Sequence, residues 1–128
     1  MDFKINGGEK ELNFGVRFIA ELDKTDTLKV ENMIEFGVGL MMAEEKLGMG
    51  SIETLANIIK SALHREFVTL DHVYDSLDEY AEDDKLDEVF DMIGEALKNS
   101  KAVHVAKSRM KNQATEQNRK KSAVKAVK

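Results

Sequence analysis

Polar and apolar residues alternate over Asp2-Phe3-Lys4-Ile5, break at Asn6-Gly7-Gly8 and run back out through Glu9-Lys10-Glu11-Leu12-Asn13. Asn-Gly supplies the two positive-φ positions that a tight hairpin turn needs, so residues 2–13 are predicted to form a two-stranded hairpin. The period then changes. Phe14, Phe18 and Leu22 recur every fourth residue with Ile19 beside them, which marks a helix. A lone hairpin is marginal in water, so it has to lie on that helix or on some other element.

Lys24-Thr25-Asp26-Thr27 reads as a loop, and residues 28–35 carry no decisive period. Phe36, Leu40 and Leu47, with Val38, Met41 and Met42 between them, predict a helix over roughly 36–47. Gly37 and Gly39 each disfavour it by about 1 kcal/mol relative to alanine, and offer in return the close approach of another backbone. Gly48-Met49-Gly50 ends this helix by allowing a left-handed residue, and Ser51 is a suitable N-cap for the next. Helix 52–64 places Ile52, Leu55, Ile59, Ala62 and Leu63 on one face. Thr69 or Asp71 starts another, with Leu70, Val73, Tyr74, Leu77 and Ala81 in its stripe. Asp83-Asp84 is expected to make a turn and supply the next N-cap. Leu86, Val89, Phe90, Ile93 and Leu97 then form the most regular amphipathic stripe in the chain. The expected fold is mainly α, a small domain of about five helices with an N-terminal β-hairpin.

Charge divides the chain. Residues 1–100 hold ten Lys or Arg against 23 Asp or Glu, a net of −13, whereas residues 101–128 hold nine against one, a net of +8. Large apolar residues thin out at the same place, which leaves the last 28 residues little to bury. The expected division is a helical domain over 1–99 and a basic, disordered tail over 100–128. The chain has no cysteine, hence neither disulfides nor thiolate metal ligands, and no proline. No apolar run approaches the roughly 20 residues of a membrane span, and no leader pattern opens the chain. A soluble protein in a reducing compartment is the expectation.

The candidate chemistry is sparse. His64, His72 and His104 lack the spacing of a metal site, so they are read as surface or capping residues. His64 falls in the last turn of a predicted helix, where a cation suits the dipole. Residues 71–95 contain eleven acids and one lysine, Lys85, without the central glycine and ligand spacing of a calcium loop. They read as the solvated faces of two helices, with a docking surface for a basic partner as the functional alternative. There is no phosphate-cradling loop, no nucleophile with its base, and no cofactor motif, so no enzyme is expected. Met33, Met41, Met42 and Met49 serve either as core filler or as an adaptable contact surface for variable apolar partners. The tail has no aromatic residue to stack on bases, so its basic groups offer only phosphate contacts or a hold on an acidic protein.

Three stretches together resemble the tail assembly chaperones of long, flexible-tailed bacteriophages and prophages. They are Phe3-Lys4-Ile5-Asn6-Gly7 with Glu11-Leu12-Asn13-Phe14-Gly15-Val16-Arg17-Phe18 and Glu21-Leu22-Asp23; Phe36-Gly37-Val38-Gly39-Leu40 through Leu47; and Leu55-Ala56-Asn57-Ile58-Ile59-Lys60-Ser61-Ala62-Leu63-His64. The likeness covers residues 2–98 and leaves the tail unmatched. It implies a non-enzymatic chaperone made in the host cytoplasm and absent from the mature virion. Such proteins bind the tape measure protein, a long, helix-rich, apolar chain, and keep it soluble until tail-tube protein polymerises around it. Many are made in two lengths by a programmed frameshift, the longer form recruiting tube protein; this chain would be the shorter. Glycine and methionine content singles out the 36–49 segment, chiefly Phe36, Met41 and Met42, for tape measure contact or self-association. Two alternatives come from other classes: a nucleic-acid-associated regulator using 101–128 as a basic arm, which the acidic body opposes, and a structural or adaptor protein of the virion.

Overall fold

A computed structural model describes residues 2–25 and 38–109. Strands β1 (Asp2–Ile5) and β2 (Gly8–Glu11) pair antiparallel, with Phe3 opposite Lys10 and Ile5 opposite Gly8. Asn6 (φ 52°) and Gly7 (φ 76°) form the two-residue loop, both left-handed, as the Asn-Gly pair predicts. Phe3 and Ile5 point inward and are buried, while Asp2 and Lys4 face solvent.

The hairpin docks on α4 (Leu70–Glu82), far along the chain, rather than on the helix that follows it. The Phe3 and Tyr80 rings stack with centroids 5.2 Å apart. The Lys4 amide donates to Tyr80 Oη at 3.0 Å, which satisfies an outward-pointing group on the strand edge. Tyr80→Phe keeps the stack and removes this bond. It is expected to cost about 1 kcal/mol and to speed hydrogen exchange at the Lys4 amide.

Leu12 is buried, and the Asn13 amide donates to the Ala62 carbonyl at 2.9 Å, one of the orphan acceptors at the end of α3. Asn13 Oδ1 accepts from Gly15 N–H at 3.0 Å and turns the chain into α1 (Val16–Thr25). Phe18, Ile19 and Leu22 of α1 are buried, and Phe14 meets Phe18 edge-on at 5.0 Å.

Helix α2 (Val38–Gly48) packs against α1 through Gly39. A Cβ at Gly39 would stand 2.7 Å from Asp23 Cα and 2.8 Å from the Leu22 carbonyl, so the expected close approach of backbones occurs here. Asp23 Oδ1 also accepts from the Gly39 amide at 2.9 Å. Gly50, at φ 82°, ends the helix. Ser51 N–H bonds the Lys46 carbonyl and Gly50 N–H that of Leu47, the paired closure of a Schellman motif.

Helix α3 (Ile52–Ala62) is the centre of the domain and packs on α1, α2 and α4. Ser51 caps it through the Thr54 amide, as expected. Leu55, Ala56, Ile58, Ile59, Ala62 and Leu63 are all buried, whereas Ile52, in the first turn, is exposed instead of lying on the core face.

Thr69 caps α4 in a reciprocal box with His72. Val73 and Leu77 are buried, but Ala81 faces solvent. The turn that follows corrects one expectation. Asp83 and Asp84 close α4, Asp84 in the left-handed region at φ 57°, and the N-cap of α5 (Leu86–Asn99) is Lys85, with no side-chain cap bond. Asp84 takes the left-handed position at which α2 uses glycine. The stripe of α5 is as read, with Val89, Ile93 and Leu97 buried and Leu86 and Phe90 packed beside them.

The packed body runs past the boundary that composition places at 99–100. Ser100, extended at φ −76° and ψ 124°, is followed by a further helix, α6, over 101–109. Its Val103 and Ala106 are buried in the common core. Two apolar residues three positions apart, on one helix face, suffice to seat a short helix, and a bulk count of apolar content misses them. The rest of the expected tail, 110–128, lies outside the described residues, as do residues 28–35.

Candidate functional site: exposed apolar positions around α2

The first two turns of α2, Val38-Gly39-Leu40-Met41-Met42-Ala43, are apolar without a break, so one helix face cannot bury them all. Leu40 and Ala43 turn inward and are buried. Met41 is left 47% exposed and Met42 half-buried. A thioether on three rotatable bonds adapts to a partner's shape at low cost, which a branched side chain does not. Phe36, the third residue expected at this surface, lies outside the described residues.

Other apolar side chains stand in solvent. Met49 and Ile52 flank the Gly50 turn between α2 and α3, Met49 at 75% exposure. Phe67, in the link from α3 to α4, is fully exposed, and Val16, Met92 and Val105 are exposed as well. Sequence periodicity does not find Met49 or Phe67 as surface groups, because both lie between helices where no period applies. Their flanking signals are turn residues, Gly48 and Gly50 for the one and Thr69 for the other.

The histidines are placed by local structure. His72 Nδ1 accepts from Thr69 N–H at 3.2 Å, a capping role as expected. His104 is exposed, and its ring contacts the Lys98 carbonyl. His64 lies beyond α3, whose C-cap is Leu63, and lines a shallow pocket with Arg17, Glu21, Lys60, Glu66 and Val68. Its Nε2 is buried and has no hydrogen-bond partner among the described residues. Burial, helped by the neighbouring Arg65 and Arg17, holds its pKa below the ordinary imidazole value, so the neutral ring is favoured there in place of a cation suited to the helix end.

A histidine with a depressed folded pKa binds its proton more readily in the unfolded chain. Its stabilising contribution is complete above the unfolded value, about 6.5, and is lost as pH falls below it. His64→Gln is expected to flatten the fall in thermal stability between about pH 7 and pH 5.5, a window set by the unfolded imidazole value. A slope equal to that of the parent chain would contradict this. Glu21, held between Lys24 and Arg17, has its carboxyl pulled below the usual range, and it acts at lower pH.

All eleven acids of 71–95 are solvent-exposed, so they form the solvated faces that their spacing indicates. Among the described residues no group of three or more His, Asp or Glu has the arrangement of a metal site. No helix among them is long and apolar enough to cross a membrane. What the surface presents is adaptable apolar side chains on a small helical body.

The family model for the phage tail assembly chaperone protein, TAC, matches residues 2–112. The chain belongs to the phage tail assembly chaperone family. The match takes in α6, in keeping with the burial of Val103 and Ala106. Comparison with curated proteins and with solved structures returns no match. Membership of the tail assembly chaperone family points to phage tail components as partners, to a non-enzymatic role and to an assembly factor that is not a virion part.

Proposed function

We propose that this chain binds the tape measure protein of its phage, keeps it soluble in the host cytoplasm and helps tail-tube protein assemble around it. The observation that carries the reading is the family match over residues 2–112. The surface supports it: Met41 and Met42, on a helix with more apolar residues than one face can bury, suit contact with apolar helices of varying sequence. The chain leaves before the virion is complete, and a longer frameshifted form brings in tube protein. Self-association through the same apolar positions spreads the chaperone along a long client.

The test is a pull-down between the purified chain and the tape measure protein encoded in the same genome. Retention through washes in moderate salt is the expected result, because apolar contacts are not screened. Absence of binding under conditions where both proteins are folded and soluble would overturn the reading.

A further inference from the structure

Helix α6 occupies its place on the body with few ties. Its start is fixed where Ser100 Oγ donates to the Phe14 carbonyl at 2.6 Å, just before α1. The same hydroxyl accepts from Val103 N–H and caps α6. About 10 Å further along the helix axis, Lys107 Nζ pairs with Glu44 of α2 at 2.9 Å. Between these points only Val103 and Ala106 are buried, with Ala102 packed beside them. The central helix α3, by comparison, seats Leu55, Ile58, Ile59 and Leu63. An element with so small an apolar anchor is the kind that opens while the rest of the fold stays closed.

The junction suits such an opening. Ser100 is the single non-helical residue between α5 and α6, with neither glycine nor proline beside it. One change of ψ at Ser100, from extended to helical, would run α5 straight into α6 and lift α6 off the body.

The seat of α6 also adjoins the candidate contact surface. Met41 stands three residues before Glu44, one turn away on the same side of α2. The seat therefore continues into exposed apolar surface at its α2 end. What fits it is visible from its occupant: a helix with small apolar residues at i, i+1 and i+4 and a base at i+5, here Ala102, Val103, Ala106 and Lys107. The acidic body, net −13 over residues 1–100, favours a base at that last position.

We propose that α6 is a displaceable strap, and that the seat between Phe14 and Glu44 is a helix-binding groove that the partner's helices occupy in its place. The groove takes an amphipathic helix with a narrow stripe of small apolar residues flanked by a basic one, and that helix extends over Met41. This rests on the reading that the chain binds a helix-rich tail protein, and adds where it binds and what must move first.

The chain has no cysteine, so a double variant, Glu44→Cys with Lys107→Cys, can be joined by a short bis-maleimide to hold α6 down in the full-length protein. The probe is the tape measure protein. The unlinked double variant, which lacks the Glu44 carboxylate of the groove, is expected to bind it within a few-fold of the parent chain, and the linked form at least tenfold more weakly than the unlinked one. Ser100→Ala, which removes the cap and the bond to Phe14, is expected to bind a few-fold more tightly. In the chain alone, amides of α6 are expected to exchange faster than those of α3. Equal binding by linked and unlinked forms overturns the strap while leaving the chaperone reading standing. No binding by the unlinked variant and the parent alike overturns both. A covalent dimer from mixed Glu44→Cys and Lys107→Cys single variants would mean that the groove takes α6 of a second copy, and would overturn the proposed occupant.

Discussion

Gly39→Val is expected to destabilise the fold by about 3 kcal/mol, the upper end for overpacking a well-filled site. The reason is what the new atoms meet. A Cβ at this position lies 2.7 Å from Asp23 Cα, 2.8 Å from the Leu22 carbonyl and 3.0 Å from Asp23 N, all backbone atoms that cannot swing aside. Relief requires α1 and α2 to separate, which disturbs the bond from the Gly39 amide to Asp23 Oδ1 and loosens Leu22 and Leu40 in the core. For a domain of this size the melting temperature should fall by about 12 °C or more, read by circular dichroism. Gly94→Ala is the contrast. Gly94 sits inside α5 with open space around its Cβ position, so alanine there should stabilise by up to about 1 kcal/mol. Equal effects at the two glycines would mean that α1 and α2 do not approach closely at Gly39.

The second large effect is on binding. Met41→Ala with Met42→Ala is expected to leave the helices in place and to abolish solubilisation of the tape measure protein. Met41 is 47% exposed, and its truncation costs the fold less than that of a buried methionine. Met42 is half-buried, and its truncation should cost about 1 kcal/mol, below the range for fully buried methionine. If the pair is central to the contact, losing two adjacent anchors costs about 2 kcal/mol or more of binding energy, which is about 30-fold in affinity. A melting curve and a pull-down on the same preparation separate the two effects. Unchanged binding with an intact fold would move the contact elsewhere, to the seat of α6 or to the exposed group of Met49 and Ile52.

Much of this fold is written in local signals. The Asn6-Gly7 turn, the Ser51 cap and the α5 stripe each follow from one short-range rule and agree with the structure. Even the close approach at Gly39 has a sequence trace, since a glycine in a helix needs a reason. The departures are of another kind. The hairpin chose α4, 76 residues away, because Tyr80 offers both a ring and a hydroxyl to one strand; no local pattern encodes that pairing. Asp83 and Asp84 read as caps by composition, yet the chain needed a left-handed residue there, and Asp84 supplies it. Helix α6 escaped notice because its anchor is a valine and small alanines within a run of bases. The exposed apolar positions were legible only in part. Methionine content marked Met49 together with α2, whereas Phe67 is exposed in a link whose geometry the side-chain pattern does not carry.

The most direct test of the chaperone reading is the soluble fraction of the tape measure protein expressed alone and together with this chain. The account predicts that the tape measure protein is insoluble alone, becomes soluble on co-expression and elutes with this chain as one complex. A tape measure protein that stays insoluble beside abundant, folded chain, or that is soluble without it, would contradict the account.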